Sequence, residues 1–339
     1  MTVRVGINGF GRIGRNFVRA ALEQGADVEV VAVNDLTSPE VSAHLLRYDS
    51  SQGRLGVEVT AAEDSLTVDG RPIRVFSERN PADIAWSDLD VDVVVESTGL
   101  FTKREDAAAH LGGAVRKVII SAPATGADAT FVVGVNDDQY DAGAHEVVSN
   151  ASCTTNCFVP MVKVLDDSFG VVSGLMTTVH AYTNDQNLLD LAHKDLRRAR
   201  AAAVNIVPSS TGAARATGLV LQAMQGRLDG TSLRVPIPTG SITDFTAVVK
   251  GAPSVEEINA AYRAAASGGP LSKVLVYTED PIVSSDIVGS PASCTFDSGL
   301  TMTQAIDGET SLVKVMGWYD NEWGYSNRLV DLVTLVGQQ

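Results

Sequence analysis

Cys153 stands in the segment Ser149-Asn150-Ala151-Ser152-Cys153-Thr154-Thr155-Asn156-Cys157. An apolar pair, Val147-Val148, precedes it, and a helical pattern through Val162 and Leu165 follows. This order predicts a thiol at a strand end and over a helix N-terminus. Unpaired N–H groups and the helix dipole stabilise a thiolate there, so a lowered thiol pKa is expected. Activation matters, because a free thiol of pKa about 8.5 is only ~3% thiolate at pH 7. Ser152 and Thr154 put hydroxyls on either side. The chemistry to look for is covalent catalysis by cysteine, which needs a base. Of the five histidines, His180 closes an apolar strand pattern over 171–182 and abuts a long polar loop over 183–204. His44, His110, His145 and His193 lack such a position. A Cys–His pair forms thiolate and shuttles protons. Three cysteines are too few for a disulfide scaffold, and Cys153 with Cys157 lacks the further ligands a zinc site needs, so no metal is expected.

The second set of residues lies at the N-terminus. Val3, Val5 and Ile7 alternate as in a strand, and Gly9-Phe10-Gly11-Arg12-Ile13-Gly14 then fits G-x-G-x-x-G. Residues 15–22 read as a helix, and a second strand over 28–33 runs into Asn34-Asp35. Asp35 lies where a dinucleotide fold places an acid for the adenosine ribose hydroxyls. Strand, glycines, helix, second strand and acid in register point to a dinucleotide site. Anion sites are also legible. Ser209-Ser210-Thr211-Gly212 precedes a helical Ala213-Ala214-Arg215-Ala216, whose N–H groups and hydroxyls can hold phosphate or act as an ordinary cap. Arg234 sits between Leu233 and Val235 on a strand, where a guanidinium wants an anionic partner.

These groups need elements to position them. The first ~150 residues repeat a strand-and-crossover rhythm. Short apolar runs at 91–95, 118–120, 131–135 and 147–148 predict a parallel sheet covered on both faces, with ligands at the strands' carboxyl ends, where Thr98, Gly99 and Ser121 fall. After Cys153 longer strand patterns at 171–182, 233–235, 241–250 and 311–319 alternate with helical stretches, one opened by a Ser254/Glu257 capping box. The fold class expected is α/β: a Rossmann-type domain plus an α+β domain on a mixed, largely antiparallel sheet. Leu329, Leu332, Val333 and Val336 form one face of a terminal helix that needs a docking site. With 339 residues, 45% of them hydrophobic, the chain has material for two buried cores. A formal charge of −15 argues against nucleic acid as partner. No run approaches a membrane span, and the opening strand leaves no room for a leader, so a cytoplasmic address is expected.

Four long motifs carry a resemblance. Gly6-Ile7-Asn8-Gly9-Phe10-Gly11-Arg12-Ile13-Gly14-Arg15, Ser152-Cys153-Thr154-Thr155-Asn156-Cys157, His193-Lys194-Asp195-Leu196-Arg197-Arg198-Ala199-Arg200 and Trp318-Tyr319-Asp320-Asn321-Glu322-Trp323-Gly324-Tyr325-Ser326-Asn327 resemble the phosphorylating glyceraldehyde-3-phosphate dehydrogenases. The resemblance runs over essentially the whole chain. It implies that Cys153 attacks glyceraldehyde 3-phosphate, that His180 takes the proton, that NAD takes the hydride, and that inorganic phosphate cleaves the thioester to 1,3-bisphosphoglycerate. It further implies Thr183 and Arg234 for the substrate C3 phosphate, and Ser152, Thr154, Thr211 and Gly212 for the attacking phosphate, with Arg198 between. For the cofactor it implies Gly9, Gly11, Arg12 and Ile13 at the pyrophosphate, Asp35, Arg79 and Ser121 on the adenosine side, and Asn321 at the nicotinamide amide. It implies a dinucleotide domain over 1–152 completed by a C-terminal helix at about 322–339, a catalytic domain over 153–321, and a homotetramer in the cytoplasm.

The chain departs from the family pattern in places. Ala192 stands where NAD-dependent members commonly have proline, while Leu191 and Asp35 are retained. Phe158, Val159 and Met161 also depart from it and enlarge the packing behind Cys153, which reads first as neutral repacking of a core helix and second as a form tolerant of thiol-alkylating antibiotics. Two other readings are a relative acting on erythrose 4-phosphate and a catalytically silent dinucleotide-binding protein.

Overall fold

The computed structural model describes residues 2–339. The chain forms two compact units. One comprises the residues up to Phe131, Asn136–Ser152 and Ser326–Gln339; the other comprises Val132–Val135 and Cys153–Tyr325.

The first unit is built on a nine-stranded sheet. Val3–Asn8 lies at its centre, parallel to Val28–Asn34 on one side and to Val93–Glu96 on the other. Lys117–Ile120, Val147–Ser149 and Ala129–Thr130 continue outward in parallel. On the opposite side Arg71–Phe76 adds in parallel, and Ser65–Val68 and Val59–Ala62 close that edge as an antiparallel meander. Chain order therefore reverses at Val3–Asn8, which is where open α/β sheets bind ligands. The parallel strands are β-branched and buried on both faces, as their continuous apolar runs require. The strand expected over 131–135 does not form. Ala129–Thr130 is the strand, and a turn follows, closed by the Val135 N–H to the Val132 carbonyl with Gly134 at φ +84°. Phe131, Val132 and Val133 are buried all the same, and apolar continuity alone does not separate a buried turn from a strand.

Helix Arg12–Gln24 follows the central strand and ends at Gly25, whose φ of +60° lets its N–H reach the Ala21 and Leu22 carbonyls. The terminal helix, Trp323–Gly337, carries the apolar face read from the sequence; Leu329, Leu332, Val333 and Val336 are all buried. Its end lies on the first strand, where a Cβ on Gly337 would come 2.3 Å from Val3 Cγ1.

The second unit carries an eight-stranded mixed sheet. In spatial order it runs Val207–Ser210, Leu228–Val235, Val171–Ala181, Ser241–Lys250, Thr310–Tyr319, Cys294–Asp297 and Leu275–Thr278, with Met302–Ala305 also paired to Thr310–Tyr319. Val171–Ala181 is parallel to Leu228–Val235 and antiparallel to Ser241–Lys250. Strict alternation along Ser241–Lys250 turns Thr243, Phe245, Ala247 and Val249 to the core. Helix Cys153–Phe169 packs on that face, burying Phe158, Val159, Met161 and Val162 completely. Phe158 meets Phe245 edge-on at 4.8 Å, so the bulk behind Cys153 is ordinary core packing.

Candidate active site

Cys153 is the first residue of helix Cys153–Phe169. Two residues earlier Ala151 adopts φ +55°, one of three non-glycine residues with positive φ among the described residues. Such strain persists where the surroundings impose it, here just ahead of Cys153. His180 is the penultimate residue of its strand, and its Nε2 lies 3.4 Å from Cys153 Sγ. The parallel register pairs His180 with Arg234 on the neighbouring strand. Arg234 Nη1 consequently lies 2.8 Å from His180 Nδ1, and donates to the Ala181 carbonyl and the Thr183 hydroxyl, both at 3.1 Å. Donation from Nδ1–H to the Ala181 carbonyl, 2.7 Å away, leaves the Nε2 lone pair facing the thiol, the tautomer that a base needs.

Electrostatics here differ from the expectation of a lowered thiol pKa. Burial pushes the Cys153 thiol up, and it outweighs the opposing pull of the Arg234 charge and of the Thr154 hydroxyl and N–H. Burial and the Arg234 charge hold His180 down, at about 3. In the free protein thiol and imidazole thus face one another as neutral groups, and helix position alone does not make the thiolate.

The hydroxyls on either side have distinct surroundings. Ser152 is half-buried next to the thiol. Thr154 is buried, and its hydroxyl is 2.9 Å from Tyr319 Oη, which also lies 2.7 Å from Thr178 Oγ1. The Tyr319 ring stands edge-on to the His180 imidazole, with centroids 5.9 Å apart. Tyr319 and Thr178 were not singled out from the sequence. The available signals were a place inside the Trp318–Asn327 motif for Tyr319 and, for Thr178, the same strand face as His180, two residues before it.

The anion-binding residues divide. Thr183 joins Arg234 directly, and its hydroxyl donates to Asp185. Asp185 also pairs with Arg198. Burial raises the Asp185 pKa, but the Thr183 hydroxyl and the Arg234 and Arg198 charges outweigh it and hold the carboxyl below its ordinary range. Asp185, missed in the sequence, links Thr183 to Arg198. Thr211 and Gly212 precede helix Ala213–Val220, Gly212 as a cap without a side-chain bond and the Thr211 hydroxyl accepting from Ala213 N. That helix packs against helix Cys153–Phe169.

In the first unit a cavity of about 350 Å³ opens at the strand ends, lined by Asn8, Gly9, Gly11, Asn34, Asp35, Glu78, Arg79, Ser97 and Thr98 among others. Gly9 has φ +92°, and a Cβ there would meet Thr98 N at 2.6 Å; one on Gly14 would meet the Gly9 carbonyl at 2.4 Å. A Cβ on Gly11 meets no protein atom within 4 Å, so this glycine faces open space. Tight turn, open middle glycine and close helix approach are what a dinucleotide pyrophosphate requires, and the residues present fit that group. Asp35 Oδ2 accepts from Phe10 N at 2.8 Å, and Oδ1 accepts from Thr37 N and Oγ1, so the acid also ties the glycine turn to its strand. Arg12 turns its guanidinium to Asp49. Ser121 follows its strand and donates its N–H to the Glu96 carbonyl at 2.9 Å. Below the loop, buried Glu96 accepts from Asn8 Nδ2 at 2.6 Å and from Thr98 N at 2.8 Å, and pairs with His110 Nε2 at 3.1 Å. In the second unit Asn321 is buried and its Oδ1 accepts from Ser241 Oγ at 2.9 Å. Leu191 and Ala192 are exposed. Among the described residues no cluster of His, Cys, Asp and Glu is arranged to hold a metal, and no helix is long and apolar enough to cross a membrane.

Comparison with known proteins matches two regions of the chain. Residues 3–104 match the family model described as glyceraldehyde 3-phosphate dehydrogenase, NAD binding domain, and residues 152–321 match the corresponding C-terminal domain. Over 339 residues, the full length of both chains, this protein is 63% identical to glyceraldehyde-3-phosphate dehydrogenase 2 of Streptomyces avermitilis. It is equally similar, over the same span, to glyceraldehyde-3-phosphate dehydrogenase of Streptomyces coelicolor. Against the protein of that name from Mycobacterium tuberculosis identity is 62% over 344 residues, covering 100% of this chain and 99% of the other. With models matching both regions and relatives this similar from end to end, the chain belongs to the glyceraldehyde-3-phosphate dehydrogenase family.

Proposed function

We propose that this protein oxidises D-glyceraldehyde 3-phosphate to 1,3-bisphosphoglycerate, with Cys153 as nucleophile and His180 as base. The observation that carries the reading is the cluster of Cys153 Sγ, His180 Nε2 at 3.4 Å, and Arg234 beside the same imidazole. Cys153 loses its proton to His180 Nε2 and forms the C–S bond to the aldehyde carbon, and the carbonyl electron pair becomes an alkoxide that His180 protonates. His180 then removes that hydroxyl proton as hydride leaves the carbon, giving a thioester. NAD, when bound, accepts the hydride. Phosphate oxygen attacks the thioester carbon and Cys153 departs as thiolate, its charge stabilised by Arg234 and the helix N-terminus.

Arg234 and Thr183 hold the C3 phosphate in this reading. Ser152, Thr154, Thr211 and Gly212 receive the attacking phosphate, with Arg198 between. Gly9, Gly11, Arg12, Ile13, Asp35, Arg79 and Ser121 bind the dinucleotide, and Asn321 the nicotinamide amide. The Asp35 carboxylate repels a 2′-phosphate and so favours NAD over NADP. We assign dinucleotide binding to 1–152 with 322–339, and catalysis to 153–321. A homotetramer in the cytoplasm is part of the proposal. It draws support from the outward face of the catalytic sheet, where exposed Leu175 and Leu312 stand with Arg215, Arg227 and Asp244 around a hollow of about 730 Å³.

Steady-state assays with and without inorganic phosphate test the function. NADH formation should require phosphate and favour glyceraldehyde 3-phosphate over erythrose 4-phosphate in kcat/KM. Phosphate-independent turnover, or the reverse preference, refutes it.

A further inference from the structure

The sheet ladder runs out beside the base, and one hydroxyl takes over. Val171–Ala181 pairs with Ser241–Lys250 as far as Val179 opposite Ile242. Beyond that point the Ala181 N–H donates not to a carbonyl of that strand but to Ser241 Oγ, at 3.1 Å. The same hydroxyl has one proton, and it donates that proton to Asn321 Oδ1 at 2.9 Å. Ser241 is 1% exposed. Both of its bonds are therefore made away from water, and losing either partner leaves a buried polar group unsatisfied.

Each bond controls a group of the proposed site. The Ala181 carbonyl orients the His180 imidazole, so the bond that fixes Ala181 fixes the ring indirectly. Donation to Asn321 Oδ1 settles the amide flip, leaving the Nδ2 side to donate outward. Neighbouring residues hold the hydroxyl in place. Thr239 Oγ1 donates to Asp320 Oδ1 at 2.7 Å, which locks the residue before Asn321. Gly240 sits at φ +89° with the Ser284 carbonyl 2.4 Å from where a Cβ would stand, so only glycine lets the chain present Ser241 at this spot.

We infer that Ser241 is a positioning residue that sets the base and the cofactor-amide donor in one register. It touches neither the substrate nor the reacting atoms; it acts through Ala181 on His180 and directly on Asn321. A donor at this point selects the carbonyl end of the nicotinamide carboxamide. The inference rests on the roles proposed above for His180 and Asn321.

The test uses the full-length protein and two readouts besides turnover: NAD affinity by titration calorimetry, and the pH profile of Cys153 alkylation by iodoacetamide. Ser241→Ala should weaken NAD by about tenfold, the worth of an ordinary hydrogen bond, and should also shift the alkylation profile. Ser241→Thr keeps the hydroxyl and should restore both. Asn321→Ala should change only the first readout and His180→Asn only the second. If those two act as stated while Ser241→Ala changes neither readout, the inference fails and the site assignment stands. Thermal destabilisation of Ser241→Ala with both readouts unchanged also overturns it. If Asn321→Ala binds NAD normally, the assignment beneath the inference is what fails. Should Ser241→Ala not fold, the isosteric Ser241→Cys, a weaker hydrogen-bonding partner, replaces it. It is read by NAD affinity and the pH profile of kcat, and an unchanged pair again refutes the inference.

Discussion

Replacing Arg234 by leucine separates substrate recognition from catalysis. One nitrogen of this guanidinium donates to the Ala181 carbonyl and to Thr183 Oγ1, both at 3.1 Å, and lies 2.8 Å from His180 Nδ1. Its other arm is the one left to meet a phosphate. A charge-assisted hydrogen bond contributes about 1.5–3 kcal/mol. At about 1.4 kcal/mol per tenfold, its loss lowers kcat/KM for glyceraldehyde 3-phosphate by roughly 10- to 150-fold. The unphosphorylated aldehyde has nothing for this arm to hold. Its kcat/KM should fall less than about threefold, because the Ala181 carbonyl still orients His180 after the arginine is gone. The variant also removes one of the two causes that depress the His180 pKa, burial being the larger, so the imidazole should titrate above about 3. Parallel steady-state measurements with both aldehydes, at saturating NAD and phosphate, decide the matter. Equal losses for both substrates would show that Arg234 acts on the base or the fold and not on the C3 phosphate.

Three further outcomes are expected. Cys153→Ser should abolish turnover while NAD affinity by calorimetry is retained, whereas Cys157→Ser, whose buried thiol points to Met161 and the Gly317 carbonyl, should keep most activity; substantial turnover in the first variant would move the chemistry elsewhere. Gly14→Ala places a Cβ 2.4 Å from the Gly9 carbonyl and should cost about 1–3 kcal/mol of stability, while Gly11→Ala, with open space at its Cβ, should leave the Tm in place and lose NAD affinity; the reverse pattern refutes the glycine roles. His180 titrates at about 3 when folded against an ordinary 6.5, so between those values the unfolded chain holds the extra proton. Its contribution to stability is complete above pH 6.5 and is lost as pH falls through that window; denaturant midpoints of His180→Asn should therefore depend less on pH there than those of the parent.

Local order in the chain carried the fold class and the placement of Cys153 at a helix start. The glycine turn between a strand and a helix, with Asp35 at the end of the next strand, is a short-range pattern, because each glycine answers a steric demand made within a few residues or by the adjacent loop. Cys153 was legible for the same reason, since a strand end and a helix start beside one another need no distant partner. What the sequence could not reveal is set by register and burial. His180 meets Arg234 because two strands pair in parallel at one particular offset; a slip of one residue would turn the arginine to the other face. The thiol pKa reverses from the local expectation because a helix dipole acts over one turn, whereas desolvation depends on everything packed around the sulfur. Tyr319, Asp185 and Ser241 join the site from strands and loops far away in sequence, and only the packed sheet brings their polar atoms to the groups they hold. Sequence spacing therefore specified the reactive types, and tertiary packing decided which protonation states and which orientations those types adopt.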